Sequence, residues 1–438
     1  MVGNLLARTL SRTSFSDALG EDAFVRAMLA FECALAQSQA ECGVIPALAC
    51  KVIEDVCANA KLCAGQLAED GKLAGSLAIA FVRSLTEQVR ATDPQAASFV
   101  HYGSTSQDVL DTAMMLCIRP CVAEADRILD CAIAQLAAHA RQHASAVMLG
   151  RTMLQPAVPI TAGIKIARWA TALGRCRDRL AQAGEKALCL QLGGPVGTLD
   201  ALGAHRAEVR RGVAKRLGLV DGHSWQSHRD ELLSMASSLA ILVTTIGKIA
   251  RDIALLSQAE VGEMLESAPK KGVGASSAMP HKRNPVSCLQ AIAAATRAPG
   301  LLATLLHSGH EHERAIGGWQ AELATLPDLL ETAGSALDAL ERIAAGLVVH
   351  PARMKQNLEA LQGLVFSERL SRLLMRTMDR AAAQSQVDDW CAVAMAEQRQ
   401  LSEVVRAARP EFDLGAVFSL DTIICELAPV LEEELASL

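Results

Sequence analysis

Eight apolar residues, Leu232, Met235, Leu239, Leu242, Ile246, Ile249, Ile253 and Leu256, follow one another in steps that alternate strictly between three and four. That spacing places all of them on one stripe of an α-helix, which turns every 3.6 residues. No proline interrupts the chain between Pro195 and Pro269. The spacing therefore predicts a helix from about His228 to Gly262, roughly 50 Å long at ~1.5 Å per residue. A rod longer than a small domain buries such a stripe only against other long helices lying beside it.

The chain supplies partners. Leu129, Ile133, Leu136 and Ala140 sit at helical spacing within "CVAEADRILDCAIAQLAAHARQHASA". A second apolar stretch follows Pro156 and Pro159, and further long helices are expected from Val286 and from Ala324. Aromatic residues make up only 3% of the 438, so the core must be aliphatic, a composition that favours helix. No stretch alternates with the period-2 pattern of a strand, and no repeat of fixed length is present. The expected fold class is all-α with three regions: an N-terminal helical domain (1–108), a central bundle of long helices carrying a polar loop (109–350), and a C-terminal helical domain (351–438).

A net charge of −6 and a pI near 6.0 argue against nucleic acid or an anionic membrane as partner, while leaving room for a local basic pocket. The first residues make a poor signal peptide, and no uncharged apolar run is long enough to span a bilayer. A soluble, cytoplasmic protein is expected. The thirteen cysteines form no CxxC pair, Cys117 and Cys121 being the nearest separated two, which favours reduced, buried thiols over disulfides or zinc.

Four polar islands interrupt the helices: "HYGSTSQD" (101–108), "GRTMLQPA" (150–157), "GVGASSAMPHKRNPVSC" (272–288) and "HSGHEHERAIGGW" (307–319). Helix capping by itself accounts for Ser104, Thr105, Ser106 or Asp108. Four islands rich in hydroxyls, amides and cations point instead to one shared site. In the last island His307, His310 and His312 stand near Glu311 and Glu313, yet the spacing is neither HExxH nor another zinc pattern, so no metal is expected. Arg314 has the planar fork of donors that clamps a carboxylate. The third island is glycine-rich without the GxxxxGK[ST] of a phosphate loop. Its serines suit proton transfer, with Lys282 stabilising an alkoxide and Asn284 holding substrate.

In "SSAMPHKRNP" the chain resembles the fumarase, aspartase and adenylosuccinate lyase superfamily, and "HYGSTSQDVLDT" and "GRTMLQPAVP" resemble that family's two other shared regions in the same order. Through "QLGGPVGTLDALG" and "EHERAIGGWQAELATLP" it is most similar to the branch of bacterial 3-carboxy-cis,cis-muconate cycloisomerases. The resemblance implies an all-α homotetramer with each active site assembled from several subunits, and no cofactor. It implies Ser276 as the catalytic serine, Lys282 and Asn284 as holders of a substrate carboxylate, and His101, Thr105, Ser106, Gln155 and Arg314 as substrate-binding positions. Arg151 would help offset the charge of a tricarboxylate substrate.

Two departures separate the branches. Lyases of the family usually carry histidine where Met153 stands, and an Arg-His-Asp run where this chain reads Gly75, Ser76, Leu77. An amine leaving group needs a proton from a general acid, whereas a carboxylate, with a pKa of about 4, attacks or leaves unprotonated near neutral pH. The missing histidines are therefore expected in an enzyme that closes a lactone. The alternatives are a fumarate-releasing lyase, such as adenylosuccinate lyase or one acting on another substituted succinate, and a catalytically silent scaffold of the same fold.

Overall fold

The computed structural model describes residues 9, 10, 12–267, 279 and 282–438. Helices hold 71% of the chain, which makes the fold all-α. Five helices are long: Ser106–Gln142, Ala162–Ala187, Asp230–Leu256, Val286–His307 and Gly318–Gly346. The seam helix is shorter than its expected span. It ends at Leu256, whose carbonyl accepts from the Glu263 amide, and Gly262 turns away with φ 60°. All eight seam residues are buried, none more than 5% exposed, and each such burial contributes roughly 1.5–3 kcal/mol.

The described residues pack into two compact units. The first draws on the chain up to Arg127, on Cys176–Thr244 and on Ala293–Asp338; the second draws on Ile128–Arg175, Thr245–Ile292 and Ala339–Leu438. Every one of the five long helices gives part of its length to each unit. In the first unit the Glu21–Glu41 helix packs on Ala47–Asn59 and on Arg206–Leu217, where Arg216 donates to Gln37, Ser38 and Glu41. In the second, the short C-terminal helices enclose Leu370, Val387, Trp390, Leu401 and Val405.

Strands are present where none was expected. Val147–Thr152 pairs antiparallel with Gln155–Thr161, and Met264–Glu266 pairs with Leu347–Val349. The hairpin carries Pro156 and Pro159, which read in sequence as a break before a helix. In a two-stranded ribbon each strand is an edge, so a missing N–H is tolerated. A register shift between Leu149 and Arg151 falls at Gly150, where a Cβ would stand 2.7 Å from the Val158 carbonyl oxygen.

Two helices, Asp230–Leu256 and Val286–His307, are long and apolar enough to cross a membrane by length and composition once a charge or two is tolerated. The first spends its apolar stripe inside this chain. No disulfide joins any of the thirteen cysteines among the described residues, and six are buried; Cys63, Cys131 and Cys425 are exposed, against the expectation of buried thiols.

Candidate active site

In the first unit the site is built around the start of the Ser106–Gln142 helix. His101 and Gly103, with φ 59° and 73°, turn the chain into it. Thr105 is the residue before the first turn, and its amide donates to Asp108 Oδ2 at 3.0 Å, the reciprocal half of a capping box. Asp108 does more than cap. Its carboxylate also accepts from the Gly193 and Gly194 amides and from Gln191 Nε2, each at 2.9 Å, so it fastens the "QLGGPVG" loop to the helix start. Burial outweighs these donors and pushes its pKa up to about 6. Gly193 is required sterically, since a Cβ there would lie 2.3 Å from Ser224 Oγ and 2.7 Å from Gln226 Oε1.

His101 Nδ1 faces Glu32 Oε1 at 2.5 Å, and its amide donates to the other carboxylate oxygen at 3.1 Å. Burial opposes a charge on this imidazole, but Glu32, then Asp108 and the Thr105 backbone overcome it and raise the pKa above the ordinary value. Arg314 Nη1 donates to Thr105 Oγ1 at 3.0 Å, which brings the first and fourth islands together. Ser106 is half-buried as the first residue of its helix.

Beneath this layer lies a buried charge network. Arg229 donates from Nη1 to Asp111 Oδ2 at 2.7 Å and from Nε to Glu322 Oε2 at 3.1 Å, and stacks 4.2 Å from the Trp225 ring. Trp319 Nε1 donates to Asp111 Oδ1 at 2.9 Å. Burial raises the Glu322 pKa against the opposing pull of Arg229. His310, one of the histidines weighed for a metal, is buried here, with Nδ1 3.0 Å from the Gln226 carbonyl and Nε2 3.9 Å from Glu322. His307 instead turns Nδ1 to the Ala303 carbonyl at 2.7 Å.

Where lyases of the resembled family have Arg-His-Asp, Gly75, Ser76 and Leu77 line a cavity of about 620 Å³ together with Leu110, Met114 and Trp319.

In the second unit Arg151, expected to offset substrate charge, commits both terminal nitrogens to Glu263, each at 2.8 Å. Glu263 is fully buried and also accepts from Asn357 at 2.8 Å. Gln155 is exposed at the start of its strand. Between the strands Met153 and Leu154 form the hairpin turn with φ 50° and 65°, 97% and 70% exposed. Ser276 lies outside the described residues. Lys282 is exposed and Asn284 half-buried, just ahead of the Val286–His307 helix. Glu266 accepts from the Ser287 and Cys288 amides at 2.9 and 3.1 Å, so the first turn after Asn284 is anchored on the Met264–Glu266 strand.

Sequence reasoning found the islands and missed what supports them. Asp108 was legible only as a cap, although T-x-x-D ahead of an apolar run is a readable capping box. Gln226, Arg229 and Glu322 carried no signal, because their partners stand 87, 118 and 93 positions away.

A family model described as Lyase matches residues 9–300, and the chain belongs to that family, within the fumarase/aspartase superfamily. Along 405 residues, 92% of this chain and 90% of the relative, it is 42% identical to a 3-carboxy-cis,cis-muconate cycloisomerase of Bradyrhizobium diazoefficiens. The crystal structure of 3-carboxy-cis,cis-muconate lactonizing enzyme from Pseudomonas putida superposes with a TM-score of 0.91 at 35% identity, covering 99% of this chain and 98% of that one. A nitrosuccinate lyase of Streptomyces davaonensis is 36% identical over 414 residues, 92% of this chain and 87% of the relative.

Proposed function

We propose that this chain is an enzyme that cycloisomerises 3-carboxy-cis,cis-muconate to 4-carboxymuconolactone, a step in the breakdown of protocatechuate. The observation that carries the reading is likeness to cycloisomerases over nine-tenths of the chain, with methionine at position 153. In the reaction a substrate carboxylate oxygen bonds to the conjugated double bond and the displaced electron pair moves onto the carbon next to another carboxylate. Ser276 gives its proton to that carbon and regains one from solvent. Lys282 and Asn284 hold the carboxylate on which enolate charge builds, and such donors are worth most where charge develops. Arg314, Thr105 and Ser106 bind a further carboxylate, and Gln155 a polar edge of the substrate. His101 adds a substrate-binding position and Arg151 offsets part of the tricarboxylate charge, each side chain being oriented by a carboxylate, Glu32 and Glu263 respectively. No cofactor enters any step.

The test is to mix pure protein with 3-carboxy-cis,cis-muconate and follow diene absorbance. Catalytic loss of the diene is expected, and none at high enzyme concentration sinks the assignment. The nitrosuccinate lyase relative favours one second reading, a lyase whose leaving group departs without a proton. Fumarate release from a substituted succinate would select it, and Met153→His, which restores a general acid, should not speed such a departure.

The working form is a homotetramer with sites shared among subunits. Support comes from apolar side chains that the single chain leaves exposed: Leu289 (56%) and Leu306 (55%) on one long helix, and Met153 at the hairpin turn. Light scattering that gives a monomer at assay concentration contradicts it. Thirteen cysteines with no disulfide among the described residues support a reducing, cytoplasmic setting.

A further inference from the structure

We propose that Gln226 is a positioning residue that sets where the Arg314 guanidinium stands, an inference that rests on reading Arg314 as a carboxylate clamp. Gln226 is 3% exposed, and both its side chain and its backbone are tied to segments of the site. Its Nε2 donates to the carbonyl of Glu313 at 2.9 Å, immediately before Arg314. Its own carbonyl accepts from Gln107 Nε2 at 2.8 Å, immediately after Ser106, and lies 3.0 Å from His310 Nδ1. Its Oε1 faces Ser224 Oγ at 3.3 Å and Gln191 Nε2 at 3.4 Å, both able to donate. The amide orientation is thereby determined, because a backbone carbonyl only accepts and needs the nitrogen opposite it.

One residue thus ties the fourth island to the helix start that bears Thr105 and to the loop held by Asp108. The 3.0 Å contact between Arg314 and Thr105 closes the ring from the exposed side, and Gln226 closes it from the buried side. Glutamate at this position keeps length and shape but sets an oxygen against the Glu313 carbonyl. The repulsion displaces residues 313 and 314 and leaves the substrate's reacting carbons untouched, so the effect falls on binding.

The experiment measures kcat and KM with 3-carboxy-cis,cis-muconate for the full-length wild type, Gln226→Glu, Arg314→Ala and the double variant. We expect Gln226→Glu to raise KM about tenfold with kcat held within a few-fold, as loss of one hydrogen bond to an anchored segment implies. In the Arg314→Ala background the same change adds little, since the two act through one guanidinium. An equal rise in KM in both backgrounds, or no rise in folded Gln226→Glu, overturns the proposal. If Arg314→Ala leaves KM unchanged, the clamp reading fails first and takes this inference with it. Gln226→Asn, which keeps the amide and shortens its reach, replaces Gln226→Glu should that variant not fold, with the same outcomes.

Discussion

Arg314 Nη1 and Thr105 Oγ1 stand 3.0 Å apart although 209 positions separate them in the chain. The hydroxyl that would ordinarily cap its own helix serves the arginine instead, and the amide of Thr105 is satisfied by Asp108. We propose that this cation and hydroxyl, held together at a helix start, receive a carboxylate of the substrate.

Arg314→Ala should raise KM by about 10- to 100-fold, the worth of a charge-assisted hydrogen bond of roughly 1.5–3 kcal/mol. Arg314→Lys should recover part of the loss, keeping charge without the fork. Steady-state kinetics on 3-carboxy-cis,cis-muconate decides this, and an unchanged KM for Arg314→Ala removes the clamp from the mechanism.

Ser276→Ala should lower kcat by ~10²–10⁴-fold, the usual contribution of a positioned proton donor, with a much smaller change in KM. Single-turnover measurements on the folded variant separate chemistry from binding. A rate within threefold of wild type would assign proton transfer to another group.

Stability should fall as pH rises above neutrality. The folded-state pKa of His101 is raised by Glu32 against burial, so its stabilisation is complete below the unfolded value of about 6.5 and is lost as pH climbs through the folded one. Asp108 acts in the same sense at lower pH: burial lifts it to about 6, so the native state takes up protons between about pH 6 and 4 and gains stability relative to the unfolded chain as pH falls through that window. Urea midpoints from pH 5.5 to 8.5 should therefore decline. Glu32→Gln should flatten the upper part of the slope, and an undiminished slope in that variant would falsify the pairing as its cause.

Arg229→Ala should destabilise the protein by roughly 3–5 kcal/mol, because Asp111 and Glu322 are left buried without their cation. Equilibrium denaturation measures the loss. Arg229→Met, which fills more of the volume but supplies no charge, should be nearly as damaging, and a mild effect would mean that the two acids take up protons instead.

The helical seam was legible because it needs only local information: a 3.6-residue period, no proline, and enough apolar side chains to bury. The polar islands were legible for the complementary reason, since hydroxyls, amides and cations interrupt a core-forming pattern only at a cost. The hairpin at Val147–Thr161 was not, because its prolines imitate a helix boundary and a two-stranded ribbon needs little alternation. Nor was the ion pair of Arg151 with Glu263, 112 positions distant, because nothing near either residue in the chain signals the other.

By itself, then, the sequence determined the long helices, the islands that interrupt them and, through its resemblance to a family, the reaction to look for. Only tertiary structure decided which polar residues face one another: that Asp108 gathers the Gly193 loop, that Gln226 meets the Glu313 carbonyl, and that Arg151 pairs with Glu263. The physical reason is range. Helical periodicity is set within a few residues of the chain, whereas a hydrogen bond is set by separation in space, and across 80 to 200 positions only the packed core determines that.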